Sequence, residues 1–152
     1  MAYEIVAIYD EKVKDINLSH KEGIGNIKDE LELKVDTEAC PLFLARKVVN
    51  VTIKESPTFI KNRLIASGIR PINNVVDISN YVMLETGQPL HYYDADRLGN
   101  TLGVRMANDN EELTTLDNQK RTLSNSDIVI YNNTGAIGLA GIMGGLSTEV
   151  EN

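Results

Sequence analysis

Proline and glycine divide residues 56–89 so sharply that this window admits few local architectures. Ser56-Pro57 opens a helix: a side-chain oxygen at the cap, then proline in the first turn, where its missing N–H costs nothing. Phe59, Ile60, Leu64 and Ile65 form an apolar stripe at helical spacing. Gly68 suits the left-handed position that ends such a helix. Ile69-Arg70-Pro71 is then extended, because a residue before proline avoids the α region. A second helix is expected from about Val75 to Glu85, with Asn74 as its cap, Gly87 as its end and Pro89 barring continuation. His91 therefore stands on a stiff turn, which suits a site that needs fixed geometry.

The flanks read differently. Residues 2–9, AYEIVAIY, fit either a helix or a strand. Residues 10–36 are polar, with LELKV at 31–35 as a short alternating strand, and His20 reads as a surface residue. Leu42 to Ile53 is β-branched and strand-like. After Asp96 the apolar period becomes two, predicting short strands at Leu102–Met106, Leu113–Leu116, Arg121–Leu123 and Asp127–Tyr131. Asn108-Asp109-Asn110, Asp117-Asn118 and Asn132-Asn133-Thr134-Gly135 supply the turns between them. The expected class is α+β: mixed and antiparallel strands packed with two or three helices.

A chain of 152 residues suits one domain, or two small modules sharing a core. Hydrophobic content of 42% and charged content of 24% are those of a soluble globular protein. The first 30 residues lack a basic start and an apolar signal core, and no apolar run reaches the ~18 residues of a membrane span. The single cysteine, Cys40, cannot form an internal disulfide, so a reducing cytosol fits. A net charge of −7 disfavours gripping a nucleic-acid duplex, which draws on Lys and Arg.

The chemistry concentrates in Gly68–Leu98, where Arg70, Asn73, Asn74, Asp77, Ser79, Asn80, Glu85, Gln88, His91 and Asp94 crowd around the helical pattern. That mix suits a site that hydrogen-bonds a specific ligand; a solvated loop around an ordinary core helix would show a similar one. An unperturbed histidine, with pKa near ~6.5, can orient or deprotonate a water. Gly138, Gly141, Gly144 and Gly145 sit in an apolar strand-like run, where glycine needs a reason. Close approach of a ligand is one and tight packing is the other. No Walker loop or Rossmann fingerprint is present, no second His or Cys completes a zinc set with His91 and Asp94, and no GxSxG elbow exists.

The wording of RPINNVVDISNYVMLETGQPLHYYD at 70–94, followed by AGIMGG at 140–145, closely resembles the bacterial phenylalanyl-tRNA synthetase beta subunit. The resemblance covers roughly Asp36 to the C-terminus and only weakly the first 35 residues. That subunit is several times longer, so the chain looks like an internal piece. Residues 1–36 would be the tail of a preceding module and a linker, and 37–152 an editing module truncated at its C-terminus.

The resemblance implies a post-transfer editing site that hydrolyses tyrosine mischarged on phenylalanine tRNA. An apolar synthetic pocket rejects an added hydroxyl by only about 10²-fold, so a second site must read that hydroxyl. By motif position Arg70, Ser79 and Asn80 would bind the substrate, with Ser79 standing where threonine is common. His91 matches the family's site histidine and would be the editing catalyst, while Ala140 and Gly141 match the wall against the ligand. The family's tyrosine-reading glutamate would fall beyond Asn152; Glu149 and Glu151 do not replace it. The parent enzyme would be a cytoplasmic ligase of protein biosynthesis with two alpha and two beta subunits and no membrane association. It would use ATP and magnesium for its synthetic reaction, with no cofactor in this fragment, and other modules would deliver the tRNA. Two other readings are an architectural module and an aminoacyl-adenosine binder without catalysis.

Overall fold

The period-two segments after Asp96 build the centre of the molecule. The computed structural model describes residues 2–150. Its chain order is α1 (Ala2–Tyr9), β1 (Glu32–Val35), α2 (Thr58–Ala66), α3 (Asn74–Thr86), α4 (Ala95–Leu98), β2 (Thr101–Met106), β3 (Glu112–Thr114), β4 (Lys120–Thr122), β5 (Ile128–Asn132), β6 (Gly135–Leu139) and β7 (Met143–Gly144). The α+β class and the mixed sheet are as expected. Five strands pair in the order β1-β2-β5-β6-β7, and β3-β4 form a separate hairpin. β1 runs parallel to β2, and every other pair is antiparallel. The turns carry the predicted chemistry: Asn110 and Asn118 are left-handed at φ 61° and 58°.

Register assigns each strand residue to a face, because side chains directly opposite one another point the same way. Val104 pairs with Ile130, Ile130 with Gly138 and Gly138 with Gly144, so these four share one face. Against the sheet pack Leu98, Leu102 and Ile137, with Phe43, Tyr93 and Ile130 around them. Arg105, Val129 and Leu139 share the opposite face, where Ala107, Leu113, Leu123 and Val129 form a second core under the β3-β4 hairpin.

That second face is also clamped by polar groups. The Arg105 guanidinium donates to both Glu111 carboxylate oxygens at 2.8 and 2.7 Å and stacks 5.2 Å from the Tyr131 ring centre. Tyr131 donates to Asp36 at 2.5 Å, which ties the chain after β1 to β5. The Tyr131 ring occupies the side-chain space of Gly103, where an added Cβ would lie 2.7 Å from the Tyr131 hydroxyl.

Three local expectations are corrected. Ser56 does not cap α2; Pro57 holds that position without a side-chain bond, and the Ser56 hydroxyl donates to Asp77 instead. A buried carboxylate is the stronger acceptor, so it outcompetes the helix end. The cap of α3 is Asn73, and Asn74 instead bonds the backbone of Thr52 and Lys54. Leu42–Ile53 forms no strand: it pairs with no other strand among the described residues, and Leu42, Leu44, Val48 and Val49 stay exposed. β-branched composition favours a strand only where a neighbouring strand receives it.

Candidate functional site

The segment between α2 and α3 is shaped by one buried carboxylate. Asn73 caps α3, its side-chain oxygen accepting from Val75 N at 3.1 Å and Val76 N at 3.0 Å. One turn in, Asp77 is only 1% exposed. It accepts from Ile72 N at 2.8 Å and from the Ser56 hydroxyl at 2.5 Å. These two bonds pin the Arg70-Pro71-Ile72 strap to both helices. Arg70 itself is exposed, and its guanidinium has no hydrogen bond or ion pair among the described residues.

Ser79 and Asn80 are half-buried on α3. The Ser79 hydroxyl donates to the Leu90 carbonyl at 3.3 Å, which ties the helix to the segment carrying His91. Gly87 ends α3 in a left-handed conformation at φ 78°, and its N–H bonds the Met83 carbonyl at 2.8 Å. The chain then turns through Gln88-Pro89 and brings His91 onto β7.

His91 meets the sheet edge-on. A Cβ built on Gly144 would lie 2.7 Å from His91 Nε2 and nearer still to Cε1, so the imidazole edge occupies the volume of the missing side chain. The Tyr93 ring packs beside it, with centroids 4.6 Å apart and planes tilted by 60°. His91 as a residue is exposed, yet this one edge is shielded from water. The lost hydration lowers its pKa below the usual 6.5, which favours the neutral ring. The Tyr93 hydroxyl lies buried without a hydrogen-bond partner among the described residues, and burial pushes its pKa up to about 12.

Ala140 and Gly141 form the turn between β6 and β7, with Gly141 left-handed at φ 71°. They line a shallow groove of about 380 Å³ together with Cys40, Phe43, Val104 and Ile130. Val104 and Ile130 share the sheet face of Gly138 and Gly144, so groove and His91 lie on the same side of the sheet. The six expected site residues thus fall into two groups. His91, Ala140 and Gly141 gather on the β6–β7 hairpin. Arg70, Ser79 and Asn80 ride on the helix pair, and only Ser79 bonds across, through the Leu90 carbonyl. No hydrogen bond among the described residues joins Arg70 or Asn80 to His91.

Asp94, three residues from His91, caps α4 by accepting from Asp96 N at 2.9 Å. Among the described residues no three His, Cys, Asp or Glu side chains converge as metal ligands would. His20 is exposed and meets Arg46 Nη1 at 3.1 Å. Sequence reasoning did not single out Tyr93 or Gly144 as partners of His91; the two-residue spacing His91-Tyr92-Tyr93 and the Gly144-Gly145 doublet were the available signals. The arrangement offers a neutral imidazole, able to accept a proton, beside an apolar groove and within the same fold as an unpaired guanidinium.

Phenylalanine–tRNA ligase beta subunits are similar along the whole chain. The one from Staphylococcus aureus strain bovine RF122 / ET3-1 is 49% identical over 152 residues, covering 99% of this chain and 19% of that subunit. Those of Bacillus cereus strain ZK / E33L and Staphylococcus haemolyticus strain JCSC1435 are 46% and 48% identical, covering 100% and 98% of this chain. The chain spans 19% of the length of the relatives it matches. Residues 39–152 match the model of the B3/4 domain, and the chain accordingly belongs to the B3/4 domain family.

Proposed function

We propose that this chain is part of the beta subunit of a phenylalanine–tRNA ligase and carries part of a site that hydrolyses tyrosine mischarged on phenylalanine tRNA. The observation that supports the reading most is the seat of the His91 imidazole on the β6–β7 hairpin, on the sheet face that also holds the Ala140–Gly141 groove, where partial burial favours the neutral ring. A neutral imidazole accepts a proton from a water as it attacks the ester carbonyl. The charged form would have no lone pair to offer. In this reading Ala140 and Gly141 form an apolar wall, and Arg70, Ser79 and Asn80 hold the polar parts of the aminoacyl-adenosine end. Arg70 is unpaired and therefore available for an anionic or carbonyl oxygen. The acceptor for the tyrosine hydroxyl belongs, by the family resemblance, to a segment beyond residue 152.

The net charge of −7 implies that other parts of the enzyme bring the tRNA to this site. An alpha subunit, a two-alpha, two-beta assembly, and ATP with magnesium for amino-acid activation belong to the proposed complete ligase. So does a cytoplasmic location; no described helix is long and apolar enough to cross a membrane. Residues 1–36 form the linker from a preceding module in this proposal, although β1 within them joins the sheet.

The test uses the complete ligase carrying His91→Ala. Hydrolysis of tyrosyl-tRNA should slow by about 10²–10⁴-fold, with phenylalanine activation unchanged. Equal deacylation rates would favour the second reading, a module that only places its neighbours. That alternative draws on the absence of hydrogen bonds joining Arg70 and Asn80 to His91.

A further inference from the structure

We infer that Gly144 and Tyr93 are positioning residues for the His91 imidazole: Gly144 leaves the volume that the ring edge occupies, and the Tyr93 ring braces it from the side. The inference rests on His91 being the working group of the proposed site, and adds how its orientation is fixed. Three observations carry it. Any Cβ at Gly144 would collide with His91 Cε1 and lie 2.7 Å from Nε2, and the third neighbour, a Leu116 methyl at 3.3 Å, is also tight. Tyr93 packs against Leu98, Leu102 and Ile137, so its ring is anchored in the core and stands 4.6 Å from the imidazole. The Tyr93 hydroxyl has no hydrogen-bond partner among the described residues and is shielded from solvent, so the side chain acts through its ring. Its hydroxyl lies 3.7 Å from where a Gly138 Cβ would sit, on the pair Gly138–Gly144. Ring, brace and backbone gap thus form one slot on the last two strands. No hydrogen bond among the described residues holds the His91 ring, so shape rather than bonding sets its direction.

The chain has two histidines, which makes the slot directly observable. Proton NMR titration of the ring C–H signals resolves both, and His20, bonded to Arg46, takes no part in the substituted contacts. The wild-type His91 midpoint should lie below 6.5. In Gly144→Ala the ring is forced into water, and its midpoint should rise toward 6.5. Tyr93→Phe keeps the brace and should titrate as the wild type does; Tyr93→Leu should shift as Gly144→Ala does, in smaller measure. If Gly144→Ala does not fold, the Tyr93→Leu and Tyr93→Phe pair decides alone. An unmoved His91 midpoint in the folded variants overturns the slot. Deacylation of tyrosyl-tRNA by the complete ligase separates the two levels. A shifted titration with an unchanged rate keeps the slot and removes His91 from the chemistry. A loss of rate in Tyr93→Leu that Tyr93→Phe restores supports both.

Discussion

The helix pair and the β6–β7 hairpin hold their site residues by opposite means. On the helix pair, polar bonds do the holding: Asn73 caps α3, and Asp77 accepts from Ser56 and Ile72. Few side chains there are sealed from water; Ile60 and Leu64 are buried on α2, and Asp77 is the buried residue of α3. On the hairpin, shape does the holding. Gly144 admits the His91 ring, and Gly145 sits so close to β6 that an added Cβ would lie 2.5 Å from the Ile137 carbonyl oxygen. The difference teaches that the groups proposed to bind substrate stand on a scaffold fixed by a few directional bonds. The proposed catalyst stands on one fixed by close packing. Removing a bond should loosen the first locally, whereas adding an atom should disturb the second.

Substitution at each anchor can break this contrast. Asp77→Ala should have the larger effect, because it leaves the buried Ser56 hydroxyl and the Ile72 N–H unpaired. The buried Ser56 hydroxyl alone costs about 1–3 kcal/mol when left unpaired, and releasing the strap adds to that, read as a lower urea midpoint at unchanged slope. A loss below that of the hairpin variant would show that packing, not Asp77, holds the strap. Gly145→Ala should cost about 1–3 kcal/mol through overpacking, and its Gly145 N–H bond to Ile137 O, 2.7 Å long, should lengthen. If that variant is as stable as the wild type, the hairpin is looser than its contacts imply.

The smallest effect is on pH. Because the folded-state pKa of His91 lies below its unfolded value, the unfolded chain binds its proton first as pH falls. The stability tied to the neutral ring is therefore fully present above about 6.5 and lost as pH drops through the folded pKa. His91→Gln should flatten that part of the stability curve relative to wild type. A matching fall in both proteins would assign it to other groups.

Much of this was legible in the sequence because it is local. Gly68 and Gly87 end their helices, and the period-two runs after Asp96 became β2, β3, β4 and β5 close to their expected limits. The misreadings share one cause: a partner distant in the sequence, present for Ser56 and missing for Leu42–Ile53, decided against a local pattern. Ser56 looked like a cap and is instead an arm of Asp77, 21 residues away. Leu42–Ile53 has strand composition and no strand beside it. His91 was legible as a candidate, but its contact with Gly144 joins residues 53 positions apart, which no spacing rule could supply. The glycine run had two open explanations, and the structure gives packing for Gly145, a turn for Gly141 and room for a histidine at Gly144.

The central claim is that a neutral imidazole, kept so by its seat on β7, drives ester hydrolysis. The most direct measurement is the pH profile of tyrosyl-tRNA deacylation by the complete ligase, for wild type and His91→Ala. A base whose pKa lies below 6.5 predicts a wild-type rate that is level at neutral and alkaline pH and falls on an acid limb centred below 6.5. The variant should show a much lower rate without that acid limb. Identical profiles, or a wild-type limb centred well above 6.5, would contradict the claim.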